Sequence, residues 1–262
     1  MILGFDMSYL AHRDFRPEKH LVDGLAQQMI SKIVGCAARF KNPTVFLAYD
    51  HPAPTFRHQI YPAYKQGRKK RPGIEAIKRA IEQTKGFATD ARFHVVEHEG
   101  YEADDILAAV ARYGREKRVQ TRIFSGDKDL YPLTRLDGVE LFTTITSAGW
   151  NSIAREVALV GEVTPSMIKR KYGIDVLQWE DFRCLIGDTS DNIPGAVGCG
   201  PAKAKVLLNA YVTLQAIQDD WEYAKENMAA KYRKGLTEDY WNKELPIYRR
   251  LFTLHDDLRI IG

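Results

Sequence analysis

The sequence predicts an α/β fold in which a central, mostly parallel sheet is flanked by helices and followed by a helical region. Short apolar runs alternate with helical patterns over the first two thirds of the 262-residue chain, as in parallel strands joined by crossover helices. From about Thr164 onward the patterns are almost wholly helical. With 45% hydrophobic and 27% charged residues, the composition is that of a globular protein of one or two domains.

Five buried strands are expected, and three of them end at an aspartate. "MILGFD" ends at Asp6, "PTVFLAYD" at Asp50 and "QTRIFSGD" at Asp127, while "ARFHVVEHE" and "GVELFTT" supply two further strands. Because the carboxyl ends of parallel strands share one edge of an open sheet, we expect the three carboxylates to converge there.

The helices between these strands follow from apolar residues at helical spacing. They are expected in "LVDGLAQQMISKIVGCAARF", "GIEAIKRAIEQTKGF" and "YEADDILAAVARYG", the last of which ends at Gly114. The later helical patterns are "TPSMIKRKYG", "DFRCLIG", "PAKAKVLLNAY", "LQAIQDDWEYAKENMAAKYRKG" and "YWNKELPIYRRLF".

Four more acids are expected near the same edge of the sheet: Glu102, Asp104 and Asp105 in the first turn of a helix, and Asp129 after Asp127. Any one of them has an ordinary explanation, as a partner of the helix dipole or a turn cap. As a set they repel one another unless cations neutralise them. All-oxygen ligands suit Mg²⁺ or Mn²⁺ rather than Zn²⁺.

A second acidic group opens the stretch "GDTSDNIPGAVGCGPAKAKVLL", which begins at Gly187. Asp188 and Asp191 lie three residues apart and are able to face the same way on a helical turn. No nucleophile elbow and no phosphate loop of the Walker type occurs in the chain. The sequence therefore predicts metal chemistry rather than a protein nucleophile.

The remainder of this stretch predicts a glycine turn and a new helix that starts at Pro201. Free amides at the helix start, together with nearby lysines, suit the phosphate groups of a nucleic acid. A G-x-G before a helix is, taken alone, more often a tight turn. The residues involved are Gly195, Gly198, Gly200, Lys203 and Lys205.

A basic loop, "FRHQIYPAYKQGRKKRPG", occupies residues 56–73. Aromatic faces interleaved with cations suit single-stranded nucleic acid, which stacks and is neutralised at once. The alternatives are a solvated basic loop or a localisation-like run. The residues concerned are Arg57, Tyr61, Tyr64, Lys65, Arg68, Lys69, Lys70 and Arg71.

The bulk properties agree with a polyanion-binding protein of the cytoplasm. The net charge is +4, the three cysteines show no C-x-x-C spacing, and no apolar run approaches the length of a membrane span. We therefore expect a reducing cytosol, and no membrane span, disulfide framework or zinc site.

Four motifs give the chain a recognisable likeness. "FRHQIYPAYKQGR", "GYEADDILA", "SGDKDLYPL" and "GDTSDNIPGAVGCGPAKAKVLL" occur in this order, and the likeness extends from Asp6 to about Leu208 and more loosely to "LFTLHDDL". In these motifs the chain resembles the 5′-nuclease family, which includes the 5′→3′ exonuclease domain of bacterial DNA polymerase I and free-standing phage flap endonucleases.

The resemblance implies an α/β nuclease body over residues 1–160 with a helical arch at about 56–92. It further implies a helical DNA-binding region over residues 161–262 with a helix-three-turn-helix at about 182–210, packed with the body as one compact unit. Because no polymerase follows the motifs, a free-standing nuclease is expected.

The resemblance also implies roles for individual residues. Lys65 and Arg68 are expected to face the scissile phosphate, Tyr64 to stack on a base, and the loop from Val197 to Gly200 to bind a monovalent ion such as K⁺. Asp104 and Asp127 are expected to be catalytic. The first divalent ion is expected at Asp6, Asp50, Glu102, Asp104 and Asp105, and the second at Asp127, Asp129, Asp188 and Asp191.

The function implied is that of a structure-specific 5′ nuclease with 5′→3′ exonuclease and flap-endonuclease activity. Two Mg²⁺ or Mn²⁺ ions are expected to support hydrolysis at junctions between a 5′ single strand and a duplex, in DNA replication and repair. Two alternatives stay open: a non-catalytic protein that binds DNA junctions, and a 5′ nuclease directed at RNA primers paired to DNA.

Overall fold

The structure, a computed structural model, describes residues 1–16, 24–68, 72–147 and 157–261. The chain divides into two units. The first, called the α/β unit, comprises Met1–Ala53, Lys70–Thr164 and Leu254–Gly262. The second, called the helical unit, comprises Pro54–Lys69 and Pro165–Thr253.

The α/β unit is built on one six-stranded sheet with the strand order β3-β2-β1-β4-β5-β6. The pairs among β1 to β5 are parallel, and β6 runs antiparallel to β5. The predicted mostly parallel sheet is thus confirmed. The strands are β1 (Ile2–Asp6), β2 (Thr44–Tyr49), β3 (His94–Glu97), β4 (Thr121–Phe124), β5 (Val139–Ser147) and β6 (Val157–Val163).

Twelve α-helices lie in the described ranges, and none of them is long and apolar enough to cross a membrane. The α/β unit contains α1 (Met7–Asp14), α2 (Gly24–Ala37), α4 (Ile74–Asp90) and α5 (Ala103–Glu116). The helical unit contains α3 (Phe56–Ile60), α6 (Pro165–Tyr172), α7 (Trp179–Ile186), α8 (Pro201–Tyr211), α9 (Leu214–Asp219), α10 (Trp221–Asn227), α11 (Ala230–Arg233) and α12 (Leu245–Phe252).

Side chains on β1 alternate between the two faces of the sheet, as a pleated strand requires. Leu3 and Phe5 join the core that α1, α2 and α4 complete, and the Phe5 ring stacks on Phe124 with 4.6 Å between the ring centroids. Gly4 faces the other way, where a Cβ would lie within 3.3 Å of Leu107 and Val110 of α5. Helices therefore cover both faces of the sheet. A site is expected instead at the carboxyl ends of the strands.

Two elements of the α/β unit were not predicted from the sequence. Residues 7–14 form α1, because the Asp6 side chain caps its start by accepting a hydrogen bond from the Tyr9 N–H at 2.8 Å. The antiparallel strand β6 was missed as well. The stretch predicted as one long helix from residue 214 is instead divided among α9, α10 and α11.

Two predicted boundaries also shift. Strand β4 ends at Phe124, three residues before Asp127. Helix α5 continues past Gly114 to Glu116. Gly114 serves close packing rather than termination, since a Cβ there would lie 1.8 Å from the Thr121 Oγ1.

The segment expected as an arch is shared between the two units. Helix α3 belongs to the helical unit, where the buried Arg57 donates from Nε to the Leu251 carbonyl at 2.9 Å. Helix α4 instead buries Ile77, Ala80 and Ala88 in the core of the α/β unit. The division after residue 160 falls at Thr164 in the structure.

The helical unit packs around α7, whose Trp179 and Phe182 are almost fully buried. The side chain of Gln178 ties its start to the end of α8 by donating to the carbonyls of Leu208 and Val212, at 2.7 and 2.8 Å. The predicted C-terminal helical region is thus confirmed, and the loop between α7 and α8 is held by helices on both sides.

Replacing Gly114 by alanine is expected to destabilise the protein by about 1–3 kcal/mol, because the new methyl group overlaps Thr121 and lies 3.1 Å from the Val119 carbonyl. The matched control is Gly86→Ala, at an exposed position of α4 where a Cβ meets nothing within 4 Å. That change is expected to stabilise by up to about 1 kcal/mol through helix propensity. Urea unfolding of both variants measures the difference, and equal effects would contradict the packing role of Gly114.

Candidate active site

Asp6 is the buried centre of a group of carboxylates at the carboxyl edge of the sheet. It is the last residue of β1 and only 5% exposed. Its Oδ1 accepts the Tyr9 N–H at 2.8 Å, and its Oδ2 accepts the Ser125 hydroxyl at 2.7 Å. The order of the strands reverses on the two sides of β1, so Asp6 lies at the switch point where open α/β sheets bind ligands.

Asp50 follows β2 and links two segments of this edge. Its Oδ2 accepts the Ser8 hydroxyl at 2.5 Å, and its Oδ1 accepts the N–H of Ala103, the first residue of α5, at 2.9 Å. The carboxylate is solvent-exposed. Asp50 therefore joins the end of β2 to the start of α5.

The first turn of α5 carries three acids in different surroundings. Asp105 is fully buried, and its two oxygens accept the backbone N–H groups of Glu102 and His255 at 3.1 and 3.0 Å. Glu102 and Asp104 are partly exposed. Asp105 is thus tied to the backbone through both oxygens, whereas Glu102, the N-cap residue of α5, and Asp104 are half-buried.

The loop after β4 brings Asp127 and Asp129. The hydroxyl of Ser125 accepts the Asp127 N–H at 3.1 Å and donates to Asp6, which links the two strand ends. Asp127 in turn caps a 3₁₀-helix by accepting the Asp129 N–H at 2.9 Å. This loop is therefore anchored on the buried carboxylate.

The charges of these acids act on one another. Burial and the Asp50 charge raise the pKa of Asp6 to about 7, against the opposing hydrogen bonds from Tyr9 and Ser125. Burial and the charges of Asp127, Asp6, Asp129 and Glu102 raise the pKa of Asp104 well above its usual value. We call these six residues the acidic cluster: Asp6, Asp50, Glu102, Asp104, Asp127 and Asp129.

The donor chemistry of the acidic cluster fits a hard divalent cation, because every donor is a carboxylate oxygen, and burial and the neighbouring acids raise the pKa values of Asp6 and Asp104. In the described part of the chain, no three histidine, cysteine, aspartate or glutamate side chains are already arranged to hold a metal ion. The cluster is thus an electrostatic site whose ligand geometry is not preformed.

The second acidic pair, Asp188 and Asp191, lies in the helical unit and is neutralised by arginines. The Arg183 Nη2 lies 2.7 Å from the Asp188 Oδ2, and the Arg68 Nη2 donates to the Asp191 Oδ1. Burial would raise the pKa of Asp188, but the hydrogen bonds from Ser190 and the Arg183 guanidinium hold it below its usual value. This pair therefore differs electrically from the acidic cluster.

The segment of residues 61–68 is joined to the same loop. The N–H of Lys65 donates to the Asp191 carbonyl at 2.9 Å, and the Tyr64 hydroxyl donates to the Asp191 Oδ2 at 3.2 Å. Tyr64 is buried, its ring edge-on to His58 at 5.2 Å. The base-stacking face predicted for Tyr64 and the exposed DNA contact predicted for Arg57 are thus both enclosed in protein in this structure.

The loop between α7 and α8, residues 187–200, forms a glycine-dependent hairpin. Asp188 and Ile193 pair through their backbones, and Gly187 and Gly195 approach so closely that a Cβ on either would lie within 2.6 Å of backbone atoms. Gly198 and Gly200 are exposed, and a Cβ there would meet nothing within 4 Å. Helix α8 begins at Pro201, as predicted.

The two predicted DNA-binding lysines lie at the start of α8, and their side chains make different contacts. The Lys203 Nζ donates to the Lys234 carbonyl. The Lys205 side chain packs over Gly173, whose Cβ would lie 2.4 Å from it. The carbonyl of Val197 packs against Gly235. Lys69, Lys70 and Arg71, the remaining predicted DNA contacts, lie outside the described residues.

Sequence reasoning missed four residues that shape this region: Ser8, Ser125, Arg183 and His255. The two serines are the hydrogen-bond partners of Asp50 and Asp6. Their nearness to strand-end aspartates in sequence was a usable signal. Arg183 lies only five residues before its partner Asp188, so that pair was also within reach of local reasoning. His255 had no such signal, because a return of the chain brings it to Asp105 across 150 residues of sequence.

Two family models together match residues 5–261 of the chain. Residues 5–173 match the family "5′-3′ exonuclease, N-terminal resolvase-like domain", and residues 174–261 match "5′-3′ exonuclease, C-terminal SAM fold". DNA polymerase I of Deinococcus radiodurans is 37% identical over 70% of this chain, and the thermostable DNA polymerase I of Thermus thermophilus is 31% identical over 98%. The chain spans only 17% and 30% of these two proteins.

The fold is also that of solved structures. A bacteriophage T5 flap endonuclease, determined as a pseudo-enzyme-product complex with DNA and metal ions, superposes with a TM-score of 0.70 over 97% of this chain and 89% of its own. Its identity of 18% shows a shared fold alone. Since both family models match and together run from residue 5 to residue 261, the chain belongs to the 5′-3′ exonuclease family, as the sequence motifs indicated.

Proposed function

We propose that the chain is a structure-specific 5′ nuclease that hydrolyses phosphodiester bonds in DNA at junctions between a 5′ single strand and a duplex. It would act both as a 5′→3′ exonuclease and as a flap endonuclease, in DNA replication and repair. The observation that supports this most is the acidic cluster at the carboxyl edge of the sheet, where burial and the charge of Asp50 raise the pKa of Asp6 to about 7. Membership of the exonuclease family supplies the substrate class.

Divalent cations are proposed as the cofactors, with Mg²⁺ or Mn²⁺ held by the carboxylates of the acidic cluster. When bound, such an ion would activate the attacking water and stabilise the leaving oxygen. A second ion is also proposed, for which the family resemblance implies Asp188 and Asp191 among the ligands, together with Asp127 and Asp129. Binding there requires Arg68 and Arg183 to give up charge-assisted contacts that the structure records.

The protein's own part in the cluster is orientation. The Tyr9 N–H and the Ser125 hydroxyl fix Asp6, and the Ser8 hydroxyl fixes Asp50. A carboxylate oxygen that accepts one hydrogen bond keeps a second lone pair for a ligand. These contacts therefore set carboxylate direction while leaving coordination capacity.

Lys65 is proposed to add positive charge to the transition state. Its backbone is held in the left-handed region, at a φ of 57°, by the hydrogen bond to the Asp191 carbonyl. Its ammonium lies over the Tyr64 ring, 4.9 Å from the centroid. Arg68 is proposed to act beside it once it is released from Asp191.

The hairpin is proposed to grip the duplex next to the junction. Gly198 and Gly200 leave the backbone open at the start of α8, where helix amides favour phosphate. Such contacts to the backbone of DNA carry no base sequence, so the shape of the junction would select the substrate. A K⁺ ion at the loop from Val197 to Gly200, and single-strand contacts at Lys69, Lys70 and Arg71, are part of the same proposal.

Two rival functions use the same surfaces. A non-catalytic junction-binding protein would keep the hairpin and not need the acidic cluster, whose complete set of acids favours the nuclease. A nuclease for RNA primers paired to DNA would keep both. A monomer in the cytoplasm is proposed for each of these functions.

The decisive assay follows cleavage of a 5′-flap duplex labelled at either end, in Mg²⁺, in Mn²⁺ and in chelator. Asp104→Asn and Asp127→Asn are each expected to lower the cleavage rate at least about 100-fold, because a carboxylate that stabilises the reaction is lost. Binding of the same duplex is expected to persist. Parallel use of an RNA 5′ segment separates the primer-directed alternative.

The control for this assay is Asp137→Asn. Asp137 is exposed and precedes β5, at the amino end of the parallel strands and so at the opposite edge of the sheet. It is expected to cleave at the wild-type rate. Near-native cleavage by Asp104→Asn, or equal cleavage by the wild type in chelator, would exclude the proposed function.

Removing the Lys65 ammonium is expected to slow cleavage by about 10- to 100-fold while changing duplex affinity less than about threefold, because its charge is proposed to act in the transition state. Both Lys65→Ala and Lys65→Gly test this by single-turnover kinetics and filter binding. The glycine variant accepts the positive φ without strain. If glycine restores the rate that alanine loses, the backbone rather than the ammonium matters.

The stability of the chelated protein is expected to fall as the pH rises from about 4 to about 7. The folded chain holds the Asp6 proton up to a pKa of about 7, whereas the unfolded chain releases it near 3.8, so folding binds a proton throughout this window. The loss is roughly 2–4 kcal/mol by pH 8, measured by urea unfolding. Mn²⁺ is expected to stabilise the protein more at pH 8 than at pH 5.

Asp6→Asn is the control for this pH dependence, because the amide still accepts the Tyr9 N–H and carries no charge. In chelator it is expected to flatten the pH profile and to be more stable than the wild type at pH 8. Equal pH profiles for the wild type and Asp6→Asn would contradict the raised pKa of Asp6.

A further inference from the structure

The segment of residues 254–261, which we call the C-terminal strap, has no part in the function proposed above. It follows α12 and returns to the α/β unit. There it contacts the loop before α5 and the first turns of that helix. Three sets of contacts define its position.

The first contact reaches the buried acid of α5. The N–H of His255 donates to the Asp105 Oδ1 at 3.0 Å, while the Glu102 N–H donates to the Asp105 Oδ2 at 3.1 Å. Asp105 itself is fully buried, while the two residues that donate to it are half-buried. The Asp105 carboxylate thus ties the strap to Glu102, the N-cap residue of α5.

The second set of contacts holds the loop before α5. The His98 Nε2 donates to the Arg259 carbonyl at 2.7 Å. The Tyr101 ring lies edge-on to both His98 and His255, with centroid distances of 6.3 and 5.8 Å. Contacts from the strap therefore restrain the chain both before and after Glu102.

The third contact lies on the outer side of α5. The Arg112 Nη1 is 3.8 Å from the Asp256 Oδ1, and the Arg112 Nε is 3.2 Å from Glu116. This ion pair is exposed and weak by itself. It nevertheless places the strap along the helix for about three turns, from Asp105 to Glu116.

We propose that the C-terminal strap positions the carboxylates of Glu102 and Asp104 for divalent-cation binding, and that Asp105 is a positioning residue through which it acts. This inference rests on the proposed function. Glu102 and Asp104 belong to the repelling cluster and lie at the start of α5, where Asp105 accepts the Glu102 N–H and Asp50 accepts the Ala103 N–H. By fixing Asp105 and the loop, the strap opposes displacement of that turn by its own charges.

Under this proposal Asp105 is no longer a direct ligand of the cation, which is the role that the resemblance implied. Each of its oxygens already accepts a backbone N–H, one from Glu102 just before the helix and one from the strap. Partners that orient metal ligands typically change metal affinity by 10- to 100-fold when they are lost. An effect of that size is expected from breaking the strap contact.

The experiment uses proline to delete one N–H. His255→Pro removes the donor to Asp105, whereas His255→Ala keeps it and Asp257→Pro places a proline two residues further along the strap. Mn²⁺ affinity is measured by electron paramagnetic resonance on folded protein, with circular dichroism as the check of folding. His255→Pro is expected to bind Mn²⁺ about 10-fold more weakly, and both controls to stay within about twofold of the wild type.

Amide hydrogen exchange of the metal-free wild-type protein supplies a second measurement that needs no variant and no ion. The amides of His255 and Glu102 are expected to be protected to a similar degree as the core of α5. Free exchange of the His255 amide would overturn the proposal even if the proline variant failed to fold.

The outcomes separate this inference from the proposed function. A wild-type protein that binds no Mn²⁺ excludes the divalent-cation site itself, whatever the exchange data show. A wild-type protein that binds Mn²⁺, with folded His255→Pro binding equally well, overturns the role of the strap alone. Weaker binding in His255→Ala as well as in His255→Pro would assign the effect to the imidazole ring and contradict the role of the N–H.

Discussion

The structure is organised around one unfavourable interaction, the mutual repulsion of carboxylates at the carboxyl ends of β1, β2 and β4. Backbone amides offset it in part: the Asp6, Asp50 and Asp127 side chains each accept an N–H at the start of a helix. Such helix starts carry partial positive charge. The compensation is incomplete, because the pKa of Asp6 is still raised to about 7 by burial and the Asp50 charge. A charge deficit of this kind is what a divalent cation removes.

In the helical unit, guanidinium groups rather than backbone amides offset the charge of the carboxylates. Asp188 and Asp191 accept Arg183 and Arg68, and the pKa of Asp188 is lowered by the Ser190 hydrogen bonds and Arg183 in spite of its burial. Breaking such pairs leaves a partly buried charge uncompensated, which is costly. A cation therefore gains more at the acidic cluster than at this pair, so the two acidic groups are expected to differ in affinity, with the cluster filling first.

The sheet and the strand-end acids could be predicted because both are written in local patterns: a buried strand such as β2 is one apolar run, and Asp50 stands where that run stops. Helix α1 escaped prediction because its start depends on the cap by Asp6, which its own residues do not announce. The burial of Tyr64 and Arg57 could not be predicted either. Tyr64 and Arg57 have the composition of a nucleic-acid loop, yet their partners, Asp191 and the Leu251 carbonyl, lie more than a hundred residues away in sequence.

The contacts that restrain the acidic cluster are compatible with the proposed binding of an ion. A carboxylate has about four lone-pair positions, and Asp6 uses one on each oxygen for Tyr9 and Ser125. Capping and coordination are therefore compatible. Large movements of the backbone would instead break the caps at the start of α5. The rigidity of that helix start, to which Asp50, Asp105 and the C-terminal strap all contribute, is thus the structural condition for assembling the site.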